Sequence, residues 1–230
     1  GFSGVEFLFP YDYPVADVTR WLKENNLTNA LFNMPPGDFA GGERGIASLP
    51  GREEEFRLGV EKALEYALSM GTPTLHAMAG LLPAGADRET HHATYVDNIW
   101  YAAKKVGKYG LTLVIEPINT RDIPGYFLNS QAEGHAICKE IGEPNLKVQM
   151  DFYHCQIVEG DLSATFMNNF AGIGHVQIAS VPARQEPDEG EVNYRHIFRL
   201  LDEMGYAGWV GCEYRPRGKT EDGLVWLKDL

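Results

Sequence analysis

"LTLVIEPINT", residues 111–120, decides the fold. Leu111 to Ile115 form a mostly apolar run of strand character that ends on a carboxylate, Glu116, and then a proline. A continuous apolar strand, with no alternation of polar residues, suits a parallel sheet covered by helices on both faces. In a barrel of such strands the chemistry sits at their C-terminal ends, where Glu116 falls.

Six more runs of this kind recur: Gly4–Phe9, Asn29–Asn33, Thr74–Met78, Leu146–Met150, Gly174–Ile178 and Trp209–Glu213. Helical patterns lie between them. In "REEEFRLGVEKALEYALSMG" the apolar residues Phe56, Val60, Ala63, Leu64 and Ala67 keep helical spacing. Glu53, Glu54 and Glu55 sit in its first turn, where the helix dipole favours them, and Gly71 stops it. "RETHHATYVDNIWYAAKKVGKYG" repeats the scheme, with Lys104, Lys105 and Lys108 near its end and Gly110 closing it. "YRHIFRLLDEMGYAG" and "TEDGLVWLKDL" are shorter versions.

Strand alternates with helix throughout, which at 230 residues predicts a single-domain α/β (β/α)8 TIM barrel over residues 1–230. Seven strands are visible rather than eight. The chain opens almost directly on a strand, so the first strand and helix are expected to precede residue 1, leaving the barrel N-terminally incomplete. An open doubly wound sheet is the alternative. "AGGERG", residues 40–45, follows its strand after a long loop and opens no helix, so it is a poor phosphate-binding fingerprint.

The formal charge of −12 argues against a nucleic-acid partner. No stretch has the length of a membrane span, so no membrane partner is expected. Cys138, Cys155 and Cys212 are far apart and odd in number, which fits small buried residues in a reducing cytoplasm. Trp21, Trp100, Trp209 and Trp226 are expected in the core or at helix interfaces.

The strand ends carry the functional signal. Glu116 ends "LTLVIE", Asp151 ends "LKVQMD", Gln177 lies in "GHVQIA" and Glu213 ends "WVGCE". Four consecutive strands thus deliver one oxygen-bearing side chain each to one rim. An isolated buried carboxylate costs several kcal/mol or more, and three together repel one another. A divalent cation resolves both problems, and an all-oxygen donor set selects Mg2+, with Mn2+ as the alternative. His154 sits three residues past Asp151. Asp122 follows Glu116 on its loop, and Arg184 follows Gln177. Arg184 could grip a substrate carboxylate in bidentate fashion. His76 and Glu6 are expected at the same rim, with satisfied polar residues of the core as the alternative.

Together, "GVEFLFPYDYP", "GERGIASLPGREEEF", "VIEPIN", "DIPGYFL", "DFYHCQIVEGDL", "GHVQIA", "EPDEGEVNY" and "GWVGCEYRPRGKTEDGL" resemble the hydroxypyruvate isomerase family of the xylose isomerase-like superfamily, nearly end to end. The resemblance implies a metal-dependent aldose–ketose isomerase that interconverts hydroxypyruvate and tartronate semialdehyde by proton transfer through an enediolate. It puts the family's metal pattern on Glu116, Asp151, Gln177 and Glu213, and its proton-handling pair on Glu116 and Glu213. His154, Arg184, Asp122, His76 and Glu6 would bind the substrate, a small anionic hydroxy or oxo acid. Self-association into a homo-oligomer is left open. "HAMAGLLPAGAD" and "PRGKTEDGL" also resemble 2-oxo-tetronate isomerases. A ketose 3-epimerase and a non-catalytic carbohydrate-binding barrel are the further alternatives.

Overall fold

The computed structural model describes residues 1–228. Seven strands pair in chain order, all parallel: β1 (Gly4–Phe7), β2 (Thr28–Asn33), β3 (Thr74–His76), β4 (Thr112–Ile115), β5 (Leu146–Asp151), β6 (Ile173–Ile178) and β7 (Val210–Cys212). This strictly sequential order excludes the doubly wound sheet, whose order would reverse at a crossover. β1 and β7 do not pair. A cavity of about 490 Å³, lined by Gly1–Glu6, Ala30 and Trp209–Glu213, lies between them. The barrel is therefore nearly closed.

The long helices form as their patterns dictate. α2 (Glu53–Met70) buries Phe56, Val60, Ala63, Leu64 and Ala67 against the sheet. Gly71 ends it in a left-handed conformation at φ 70°, which a residue with a side chain adopts only at a cost. α3 (Arg88–Gly107) starts where Asp87 accepts hydrogen bonds from the Glu89 and Thr90 N–H groups. α1 (Val15–Glu24) and α4 (Gln131–Ile141) complete that side. After β5 the chain forms α5 (Phe152–Val158) and α6 (Leu162–Asn169), and α7 (Tyr194–Glu203) packs beyond β6.

The apolar core falls into two bodies. One centres on Phe32, Leu75, Leu113 and Ile115 under α2 to α4. The other centres on Met150, Val176, Ile178, Tyr194 and Trp226. Of the four tryptophans only Trp226 is buried; Trp21, Trp100 and Trp209 are each more than a third exposed. Trp21 and Trp100 lie on outer helix faces, where Arg20 and Lys104 cover their rings. Trp209 flanks the gap and fills the space beside Gly4, where a Cβ would lie 2.6 Å from its ring. The C-terminal segment, expected as a helix, is a single turn, α8 (Thr220–Gly223), followed by a 3-10 stretch, Leu224–Lys228. Residues 229 and 230 lie outside the described part. Among the described residues no helix is long and apolar enough to cross a membrane.

Candidate active site

The C-terminal ends of the strands surround a cavity of about 310 Å³, lined by Glu6, His76, Glu116, Gln149, His154, Gln177, Arg184 and Glu213 together with apolar residues. The acids arrive by two local devices. Glu116 is the first residue past β4. Asp151 is both the last residue of β5 and the N-cap of α5, so its Oδ1 accepts the Tyr153 N–H at 2.8 Å. Glu213 follows β7. Gln177 lies within β6, opposite Asp151 in register.

Two buried carboxylate oxygens are left without a hydrogen bond. Glu116 Oε1 and Asp151 Oδ2 are buried and accept no hydrogen bond. A buried polar atom in that state is costly, and functional sites are where such a cost persists. Burial pushes the Glu116 carboxyl well above the ordinary carboxylate range, and repulsion from Glu213 and Asp151 adds to it. Burial also raises Asp151, while the nearby Arg184 guanidinium draws it partly back. Glu213 is raised by the enclosing barrel walls and lowered in part by Arg184; its side chain remains 41% exposed toward the cavity.

One ligand atom from each of Glu116, Asp151 and His154 lies within 4.8 Å of the others, a spacing that would hold a metal ion. His154 stands differently from the two acids. The Asp122 N–H donates to Asn119 Oδ1 at 2.8 Å, which turns Asn119 Nδ2 toward His154 Nδ1 at 2.6 Å. Nδ1 is thus an acceptor and the neutral ring carries its proton on Nε2, which faces Asp151 Oδ2 at 3.6 Å. Burial, reinforced by Arg184, holds the ring neutral, its pKa well below the ordinary value. In this tautomer His154 presents an N–H and offers no lone pair at Nε2. Within this triad the unmet ligand atoms are then oxygens, which fits a hard divalent cation.

The other residues expected from sequence divide by their partners. Gln177 Nε2 donates to Glu6 Oε2 at 2.8 Å, and its Oε1 accepts from Gln149 Nε2 at 2.6 Å, keeping one lone pair. Glu6 also pairs with His175 Nε2 at 2.5 Å. It reaches across the gap between β1 and β7 because Gly211 has no side chain; a Cβ there would fall 2.3 Å from Glu6 Oε1. His76 is buried, 3.8 Å from Glu116, with Nδ1 against Asn33 Oδ1 at 3.0 Å. Burial lowers its pKa to about 3, with His175 adding to the effect. Asp122, expected at the substrate, does not line the cavity: its Oδ2 accepts from Tyr153 Oη at 2.8 Å and lies 3.5 Å from Arg184. Arg217 is taken up by Glu186, Asp188 and Glu189.

Sequence reasoning passed over Asn119, Gln149, His175 and Arg44. Two of these had a signal. Gln149 and His175 each lie two residues before an expected ligand, Asp151 and Gln177, and strand periodicity puts residues i and i+2 on one face. Asn119 and Arg44 come from loops, where no period applies.

A family model described as the xylose isomerase-like TIM barrel matches residues 1–230. A protein of Cupriavidus necator named 2-oxo-tetronate isomerase is 58% identical over 99% of this chain and 88% of its own length. The Escherichia coli protein named hydroxypyruvate isomerase is 47% identical over 99% of this chain and 88% of its own. A crystal structure of a Brucella melitensis protein, named AP endonuclease, family 2, superposes with a TM-score of 0.97 at 53% identity, covering 100% of this chain and 88% of that one.

Proposed function

The chain belongs to the xylose isomerase-like TIM barrel family, and from that premise we propose that it is a divalent-metal-dependent isomerase of short 2-oxo-3-hydroxy acids. The reaction moves a carbonyl from C2 to C3, a carbon-bound proton from C3 to C2, and the hydroxyl proton from the C3 oxygen to the C2 oxygen. Hydroxypyruvate to tartronate semialdehyde is the three-carbon case, and a 2-oxo-tetronate is the four-carbon case with the same reacting atoms. The 58% identity to the Cupriavidus necator protein favours the four-carbon acid, and the 47% identity to the Escherichia coli protein keeps the three-carbon acid as the second reading. The single observation that carries the metal-assisted reading is the pair of buried oxygens without a hydrogen bond, Glu116 Oε1 and Asp151 Oδ2, at the mouth.

Glu116 and Asp151 would hold the metal, with Gln177 Oε1 and Glu213 as the further oxygens. Mg2+ or Mn2+ would supply Lewis acidity that eases negative charge onto the substrate oxygens. The rest falls to the protein. A carboxylate with a raised pKa is a competent base near neutral pH, so Glu116 suits removal of the C3 proton. Glu213, on the same cavity, would return a proton to C2 of the enediolate. His154 Nε2–H would donate to a substrate oxygen, in the tautomer that Asn119 enforces. Arg184, 3.3 Å from Glu213 and 3.9 Å from Asp151, would offset the charge of those carboxylates beside an anionic substrate.

An endonuclease function, the activity for which the Brucella melitensis protein is named, would need to attract a polyanion. The charge of −12 and the acidic mouth work against it. The test is a panel of hydroxypyruvate, 2-oxo-tetronates and neutral ketoses with Mg2+ or Mn2+ supplied. Turnover in D2O should leave carbon-bound deuterium in the product. Turnover of ketoses alone, or product with no solvent label, would contradict the reading.

A further inference from the structure

Two arginines line the mouth, and they differ in what they already hold. Arg184 faces three carboxylates, those of Asp122, Asp151 and Glu213. Arg44, in the loop after β2, has no carboxylate partner among the described residues. Its Nη1 donates to two backbone carbonyls, Phe39 O at 3.1 Å and Glu43 O at 2.7 Å, and its guanidinium lies 4.2 Å from the centroid of the Phe39 ring. Its Nε and Nη2 make no hydrogen bond among the described residues. Neutral carbonyls and an aromatic face hold a guanidinium in place without cancelling its charge.

The loop is shaped to keep Arg44 there. Next to it, Gly45 sits at φ 102°, its N–H donates to Pro36 O at 3.0 Å, and it bridges to Ala79 after β3. A Cβ on Gly45 would fall 2.3 Å from Met78 O, so the two loops meet backbone to backbone. On its other side Glu43 is pinned by Arg52 Nη1 at 2.7 Å. Phe39, Met78, Ile118 and Ile123 line the same cavity and give it apolar walls, where a charged hydrogen bond is stronger than in water.

We propose that Arg44 is the anchor for the substrate carboxylate. This rests on the isomerase reading above. An anionic substrate must approach Glu6, Glu116, Asp151 and Glu213, and Arg44 is the lining cation whose charge those acids have not already answered. A planar guanidinium with a free Nε–Nη2 edge matches a carboxylate in bidentate fashion.

Calorimetric titration with tartronate, an unreactive anionic probe, tests this on the Mg2+-supplied protein. Arg44→Gln should weaken tartronate binding about 10- to 100-fold. Arg44→Lys, which keeps the charge but loses the fork, should fall between. The melting temperature of both variants should stay near that of the parent, and methylguanidinium should restore part of the binding to Arg44→Gln. Affinity within twofold of the parent in Arg44→Gln overturns the proposal. So does a loss shared equally by both variants, tracking a fall in melting temperature and unrescued by methylguanidinium, which marks a purely structural arginine. Turnover by the parent is measured in the same preparations. A protein that holds tartronate through Arg44 yet isomerises nothing keeps this proposal and loses the isomerase reading. One that isomerises while Arg44→Gln binds tartronate normally does the reverse.

Discussion

Two groups of polar side chains share the inside of the barrel, and they differ in how their hydrogen bonds are met. Glu6, His175 and Gln177 satisfy one another: both Glu6 oxygens have donors, and both ends of the Gln177 amide are used. At the mouth, Glu116 Oε1 and Asp151 Oδ2 have none. Gln149 stands between, donating to Gln177 but with its own Oε1 unmet. Burial does not explain the difference, because the unmet acids are the more buried ones: Glu6 is 19% exposed, while Glu116 is 5% and Asp151 0%. A satisfied buried network orients and rigidifies, whereas unmet buried acids store a cost that a cation or a reacting proton can relieve. On the proposed reading the inner group chiefly orients Gln177, and the unmet acids at the mouth carry the chemistry.

The comparison can be broken most directly by removing one acid from each group. Glu116→Gln should lower kcat about 10²- to 10⁴-fold, the usual contribution of a general base, read by steady-state kinetics on the best substrate of the panel. Glu6→Gln should cost less, about 10- to 100-fold, because it frees the Gln177 amide to turn and acts only through it. If Glu6→Gln proves the more damaging to kcat, the roles assigned to the two groups are reversed.

Stability should order the same two variants the other way. Glu6→Gln breaks a satisfied network and should destabilise the protein by about 1–3 kcal/mol in urea melts. Glu116→Gln should stabilise the metal-free protein. The Glu116 carboxyl is raised on folding, so the folded chain holds a proton that the unfolded chain releases, and stability falls as pH rises above the ordinary value of 4.5. The advantage of Glu116→Gln should be near zero below that pH and grow above it. An advantage that is flat or shrinks with rising pH would show that Glu116 is not strained by its charge.

The smallest effect concerns His76, which lines the mouth but stays neutral. Its pKa is lowered on folding, from 6.5 to about 3, so its contribution is present above pH 6.5 and is lost as pH falls toward 3. His76→Gln should remove about 1 kcal/mol of that loss between pH 6.5 and 5.5, read in urea melts. An unchanged slope would mean that other groups set the acid limb.

Much of this was legible in the sequence, for identifiable reasons. Parallel strands covered on both faces are continuous apolar runs, so all seven could be found, and a carboxylate that interrupts such a run is conspicuous. That logic located Glu116, Asp151 and Glu213. It did not locate α1, α4, α5 or α6. Phe152–Val158 is short and starts at Asp151 itself, with no loop to announce it. Nor could a linear reading separate Arg184, surrounded by acids, from Arg44, held by carbonyls. Both are single arginines in loops, and only three-dimensional proximity shows which charge is already answered. Asp122 was misread for the same reason: its neighbour Ile123 faces the mouth, while its own partners, Tyr153 and Arg184, draw it behind the wall.

The central claim is that the unmet oxygens of Glu116 and Asp151 form a cradle for a divalent cation. A calorimetric titration of the metal-free protein with Mn2+, repeated on Asp151→Asn, tests it most directly. One equivalent should bind the parent protein and raise its melting temperature, and Asp151→Asn should bind at least about tenfold more weakly. Equal Mn2+ binding by the two proteins, or none by the parent, would contradict the account.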